Sequence, residues 1–175
     1  MKGWFEMKGL ILALLFIAPS YAFPMDVNPS KSVLGVPWNS SEKEAARILG
    51  EPNGYFLATK YKKLVFYGKS VVLIFVRGKL KGFRYYDTCC LALYQIPVSI
   101  NSKYNNEPIS LNGVMLSGKS FEEINHVLPQ ELGRPNYRSE ISTDEATIRL
   151  GFSETTYPGR PKEYDFNSLE IDYAL

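Results

Sequence analysis

The eight residues GVMLSGKS, Gly113 to Ser120, satisfy the pattern G-x-x-x-x-G-K-[ST]. In a nucleotide-binding loop that spacing lets backbone amides cradle phosphates, with the lysine (here Lys119) on the outer phosphates and the hydroxyl (here Ser120) on magnesium. Such a loop also needs a parallel sheet with crossover helices and an acidic strand end for the metal. Only 55 residues follow Ser120, and they read as one helix and an antiparallel meander, so context assigns Gly113 to a turn and Ser120 to a helix cap. His126 is the sole histidine and falls inside a helical pattern, which leaves no material for a histidine-based triad or a multi-histidine metal site. Glu170 and Asp172 could pair as carboxylates for glycosidic chemistry, but they share the polar face of an alternating strand, as acids on any solvated strand face do. The only cysteines, Cys89 and Cys90, are adjacent. Adjacent Cα atoms lie about 3.8 Å apart, short of the roughly 4.4–6.8 Å of an ordinary disulfide. The pair therefore reads as two small apolar residues, with a vicinal redox switch or an intermolecular bridge as alternatives. No residue is assigned a catalytic, cofactor-binding or metal-ligating role.

The elements that carry these residues are written twice. RILGEPN (Arg47 to Asn53) returns as QELGRPN (Gln130 to Asn136), and each echo closes a longer similar segment. Each segment has Gly-Val (Gly35-Val36, Gly113-Val114), then Ser-x-x-Glu (Ser41 with Glu44, Ser120 with Glu123), the capping box that satisfies free amides at a helix start. Ala45, Ile48 and Leu49 then form one apolar stripe at helical spacing, and Phe121, Ile124, Val127 and Leu128 form another. Gly50 and Gly133 are expected to terminate the two helices, with Pro52 and Pro135 preventing continuation. Beyond each stop the period becomes that of strands. FLATKY, KLVFYG, SVVLIFV and KLKGFRYY follow the first helix, with a tight turn at residues 77–79; ATIRLGFSE and SLEIDYAL follow the second. Ala146, Ile148, Leu150 and Phe152 alternate with polar residues, as do Leu169, Ile171, Tyr173 and Leu175, the pattern of an antiparallel sheet with one wet face.

The first 22 residues read as a removable secretory signal: Lys2 and Lys8, an apolar run from Leu10 to Ala18, and Ser20-Tyr21-Ala22 before the cut. The run stops at Pro19, short of the ~20 apolar residues of a spanning helix. Either Met1 or Met7 can start translation. The mature protein is expected to be periplasmic or secreted, and its remaining length is enough for one compact unit or two small ones. The chain is 14% aromatic and carries a formal charge of only +2, which gives it no global reason to bind nucleic acid.

The pattern Gly-Val, Ser-x-x-Glu, Leu-Gly-x-Pro, followed by a hairpin-rich sheet, resembles the repeat of the β-lactamase inhibitor protein family. A related unit occurs in the small lipoprotein of the outer-membrane β-barrel assembly machinery. The resemblance covers Val33 to Tyr86 and Ile109 to Leu175. It implies an α+β fold built by tandem duplication of a short helix plus an antiparallel meander, with repeats at 33–87 and 109–175 and a connector at 88–108. It also implies a non-enzymatic binding protein without a cofactor. The chain departs from both relatives: Phe23 stands where a lipoprotein has cysteine, so no lipid anchor is expected, and the inhibitor's disulfides within each repeat are missing.

Charge divides the halves. Residues 33–87 hold ten Lys or Arg against four acids, and residues 113–175 hold six against eleven. In the first half the bases interleave with aromatics, and its strands are apolar on both faces. One face belongs under the helix; the other either joins a core shared between the sheets or faces a partner, for which Tyr, Phe and Arg are favoured residues. The candidate protein-binding residues are Tyr61, Phe66, Tyr67, Phe83, Arg84, Tyr85 and Tyr86. The expected partner is another envelope or extracellular protein, which this chain inhibits or neutralises. A structural or assembly role in the envelope and a small envelope hydrolase are the alternative functions.

Overall fold

Strand alternation and capping chemistry dictate most of the architecture seen in a computed structural model of the chain, which describes residues 25–86, 104–105, 107–133, 138–156, 158–159 and 161–174. The signal segment, Cys89, Cys90 and residues 87–103 of the connector region lie outside the described residues, as do Pro135 and Leu175. The fold is α+β and dominated by its sheets, with two short helices.

The larger sheet has seven strands, all paired antiparallel. Four come from the first half: β4 (Gly54–Thr59), β5 (Lys62–Tyr67), β6 (Val71–Val76) and β7 (Lys79–Tyr86). Three come from the second: β10 (Arg138–Ser142), β11 (Ala146–Thr155) and β12 (Glu163–Tyr173). Their order is β10-β11-β12-β7-β6-β5-β4, so the C-terminal strand β12 lies inside the sheet and joins the halves through the register Leu169 with Tyr85 and Ile171 with Phe83.

A smaller sheet, ordered β3-β2-β1-β8-β9, contains β1 (Met25–Asn28), the hairpin β2 (Ser32–Val33) and β3 (Val36–Pro37), and the hairpin β8 (Ile109–Leu111) and β9 (Val114–Met115). Its centre is a parallel pair, β1 with β8. Both hairpins turn on two residues of positive φ, Leu34 (52°) with Gly35 (79°) and Asn112 (51°) with Gly113 (78°). Two successive left-handed residues make the turn whose twist matches that of the strands it joins.

Each of these hairpins leads into a helix, α1 (Glu42–Leu49) or α2 (Phe121–Val127). Both capping boxes form in full: Ser41 Oγ accepts from Glu44 N and Ser120 Oγ from Glu123 N, while each glutamate accepts from the serine amide. Those bonds hold the carboxyls of Glu44 and Glu123 below the usual range, the Lys119 ammonium being the largest cause at Glu123. Gly50 caps α1 at φ 89°. The expectation for Gly133 needs correcting: α2 already stops at Val127, with Leu128 extended at ψ 145°. Pro129 is the physical reason, since a residue before proline is pushed out of the helical region.

The helices and the smaller sheet cover one face of the larger sheet. There Val65, Tyr67, Leu73, Phe75, Phe83, Tyr85, Leu150, Leu169 and Ile171 pack with Ala45, Leu49, Phe121, Ile124, Val27 and Ile109 in one buried cluster. A second cluster, Phe66, Val72 and Ile74 with Leu64 and Val76 at its margin, occupies the opposite face.

Candidate protein-binding surface

The seven residues singled out from the sequence do not share an accessible surface. Tyr67, Phe83 and Tyr85 are 0–1% exposed and belong to the main core. The cause is strand parity: these three sit on the helix-covered face, whereas Phe66, Arg84 and Tyr86 sit on the other. The Tyr85 hydroxyl donates to the Glu107 carbonyl at 3.1 Å and lies 3.3 Å from Ser117 Oγ, while its ring stacks on Phe166. Burial, reinforced by Tyr104, pushes the Tyr67 hydroxyl up to about 12. Phe66, at 4% exposed, belongs to the second cluster.

Arg84 and Tyr86 enter an ionic ladder that crosses four strands of that opposite face. Glu170, 7% exposed, receives Arg138 Nη2 at 2.7 Å and the Tyr86 hydroxyl at 3.4 Å, with Arg84 Nε at 3.5 Å. Arg84 Nη2 reaches Asp172 at 2.7 Å, Asp172 takes Arg149 Nη1 at 2.5 Å, and Arg149 Nε reaches Glu140 at 2.8 Å. Partial burial raises the Asp172 carboxyl, but the hydrogen bonds from Arg84 and Arg149 outweigh it and hold the group below its ordinary value. Burial, with Glu170 nearby, lifts the Tyr86 hydroxyl. Glu170 and Asp172 are thus engaged by three arginines, and removing one member would strand a partly buried charge.

Tyr61 is the one candidate held in the open, 56% exposed in the turn between β4 and β5. Its ring is flanked by two cations, Lys60 Nζ at 5.5 Å and Arg77 Cζ at 5.6 Å from the centroid. Arg77 belongs to the neighbouring β6–β7 turn, which is tied to this one by its amide donating to the Tyr61 carbonyl at 2.7 Å. Alongside, β4 exposes Tyr55 (57%), Phe56 (53%) and Leu57 (63%). Lys63 Nζ lies 4.2 Å from the Tyr55 ring centroid and also pairs with Glu42. Between α1 and these strands is a cleft of about 290 Å³, bordered by Glu42, Leu57, Tyr61 and Phe75.

Sequence reasoning missed Tyr55, Phe56 and Leu57. The available signal was the run itself: three consecutive large apolar residues break strand alternation, and only an edge strand open on both faces leaves all three in water. From Gly54 to Tyr86 the chain has eight Lys or Arg and no Asp or Glu. Lys60, Lys62, Arg77 and Lys79 form no ion pair among the described residues. Positive charge therefore accumulates at this end of the sheet beside exposed aromatic rings, an arrangement suited to an anionic, partly apolar surface.

The phosphate-loop pattern is folded for another purpose. Gly113 completes the β8–β9 turn, Val114 and Met115 are strand, Leu116 is fully buried, and Lys119 Nζ is engaged by Glu123 at 2.6 Å. His126 is exposed in the last turn of α2. Among the described residues no three His, Cys, Asp or Glu side chains converge as metal ligands, and no helix is long and apolar enough to cross a membrane. Compared with family models, with curated proteins and with solved structures, the chain matches none.

Proposed function

We propose that this chain is an exported, non-enzymatic protein-binding module whose contact surface is the cationic aromatic end of the larger sheet. The observation that carries this reading is Tyr61, more than half exposed between Lys60 and Arg77, in a stretch of eight bases without one acid. Interface cores favour Tyr and Arg, and the positive charge of Lys60, Lys62, Arg77 and Lys79, which form no ion pair among the described residues, selects a partner of the opposite sign. The partner is an envelope or extracellular protein presenting an acidic patch, which this chain inhibits or neutralises.

The tandem-duplication reading belongs to the same proposal, with repeats at 33–87 and 109–175. It is supported by the matching turns at Leu34-Gly35 and Asn112-Gly113 and by the matching capping boxes at Ser41 and Ser120. Each repeat would supply a hairpin, a helix and part of the larger sheet, as the resemblance to the β-lactamase inhibitor protein family implies.

The test uses the exported chain as bait in envelope extract, followed by titration of any purified partner against Tyr61→Ala and Lys60→Glu/Arg77→Glu variants. Losing a central aromatic or desolvated charge typically costs about 2 kcal/mol or more, roughly 30-fold in Kd. Binding that is insensitive to both variants, or no partner at all, would sink the proposal.

A further inference from the structure

Charge does not balance in the cleft between α1 and the tip of the larger sheet. Among the described residues Glu42 is the one acid that lines it, against Lys60, Lys62, Lys63 and Arg77. Glu42 is already engaged by Lys63. Lys60, Lys62 and Arg77 pair with no acid among the described residues, and the Tyr61 hydroxyl makes no hydrogen bond there. The two turns that carry these groups are fixed by the backbone. Thr59 Oγ1 accepts from the amides of Tyr61 at 3.2 Å and Lys62 at 3.0 Å. Arg77 (φ 50°) and Gly78 (φ 75°) make a turn whose twist suits the strands it joins, and the Arg77 amide reaches the Tyr61 carbonyl at 2.7 Å. One ring thus gathers both cationic heads, Lys60 Nζ at 5.5 Å and Arg77 Cζ at 5.6 Å from its centroid. Beside them the lining is apolar, with Phe75 buried and Leu57 63% exposed.

We infer that this cleft is a subsite for a single carboxylate side chain of the protein partner, a glutamate or aspartate with an apolar neighbour. The inference rests on the binding-module reading above and names the group that the partner inserts. Charge selects an anion, because three cations at the cleft lack a counterion, and the Arg77 guanidinium can take both oxygens of a carboxylate. Volume selects one side chain. At about 290 Å³ the cleft stands at the foot of the roughly 300–1,000 Å³ range of small-ligand pockets, too small for a length of polymer. Leu57, exposed beside the cations, selects the apolar neighbour that covers it once the carboxylate is seated. Glu42 works against entry: its carboxylate has the sign of the incoming group and occupies the fourth cation of the cleft, Lys63. Any anion that enters therefore binds more weakly than four open cations would hold it.

The test is an amide chemical-shift titration of the isotope-labelled exported chain at low ionic strength, where screening is least. The probes are acetyl-Leu-Glu-Leu-amide, the same peptide with Gln for Glu, and sodium sulfate. The expected result is saturable shifts confined to residues 59–63 and 77–79, with a Kd on the order of 1–10 mM for the glutamate peptide and roughly 10-fold weaker binding of the glutamine peptide. Arg77→Gln and the pair Lys60→Gln/Lys62→Gln should each weaken the glutamate peptide by about twofold to fivefold with circular dichroism unchanged, and Lys69→Gln, in the β5–β6 turn, should not. Glu42→Gln should tighten it by a similar factor, a gain that loss of a merely structural ion pair would not produce. Equal response to the two peptides overturns the inference, as do shifts spread over lysines elsewhere or a Glu42→Gln chain that binds more weakly. Sulfate that displaces the peptide at equal concentration also overturns it, since the site would then read any oxyanion. A purified partner that binds while the peptide does not removes the subsite and keeps the binding-module reading. A peptide that binds where no partner is found supports the subsite and counts against that reading.

Discussion

Replacing Tyr85 with alanine separates a core residue from a contact residue. The ring is 0% exposed, stacks on Phe166 with centroids 6.2 Å apart, and anchors Glu107 through its hydroxyl. Truncating a buried aromatic to alanine costs about 3–5 kcal/mol, and leaving the Glu107 carbonyl without its donor adds about 1 kcal/mol. A domain of this size has roughly 5–15 kcal/mol in total, so Tyr85→Ala removes about a quarter of it at least. In a domain of this size each kcal/mol moves Tm by about 2–4 °C, giving a drop of roughly 8–24 °C. Tyr85→Phe isolates the hydroxyl and should cost about 1 kcal/mol. Tyr61→Ala, at an exposed turn, should stay within about 0.5 kcal/mol of the parent. Thermal and urea unfolding followed by circular dichroism read all three. A Tyr85→Ala protein melting within about 2 °C of the parent would refute the packing argument for this strand face.

Gly68→Ala should destabilise by more than about 1 kcal/mol in urea unfolding, because its φ is +60° and an added Cβ would sit 2.6 Å from the Tyr104 backbone, which cannot swing away as a side chain could. Ser120→Ala should cost about 1 kcal/mol through the lost cap, and titration calorimetry with MgATP should give no binding heat in parent or variant, since Lys119 and Ser120 are both engaged by Glu123. Asp172 predicts an acid limb in stability. Its folded carboxyl lies below the ordinary 3.8 because Arg84 and Arg149 face it from β7 and β11, so its contribution is full above that value and lost as pH falls through the folded one. Asp172→Asn should lower stability at neutral pH and flatten the profile below about pH 4, as read by urea midpoints.

The local chemistry was legible in the chain and the long-range pairing was not. Ser41 with Glu44 and Ser120 with Glu123 announce their helix starts because a capping box closes within four residues. Ala146, Ile148 and Leu150 announce their strand face by alternation. The echo with Gly50 points to Gly133 as the stop of α2, whereas Pro129, four residues nearer, ends the helix. The aromatic face was harder for a deeper reason. In KLVFYG and SVVLIFV both parities are apolar, so the pattern holds no information on which of Phe66 and Tyr67 faces the helices. Arg84 looked available because the acids that hold it, Glu170 and Asp172, are more than eighty positions downstream and meet it only once β12 pairs with β7. The exposed edge escaped notice for the same reason, since being terminal is a property of the assembled sheet.

The position of β12 governs how the molecule can come into being. A chain emerging from its N-terminus can close the β4 to β7 meander early, but β7 then keeps an open, aromatic-rich flank until residues 163–173 arrive to fill the place between it and β11. The parallel pair β1 with β8 likewise waits for Ile109 to reach Met25. Neither sheet can be completed by half a chain, and contacts of such long sequence separation form slowly and leave strand flanks exposed meanwhile. Acquisition of the native state is therefore a late, all-or-none event that follows delivery of the C-terminal strand. Fragments cut at the connector should accumulate as insoluble or chaperone-held species rather than as two working halves.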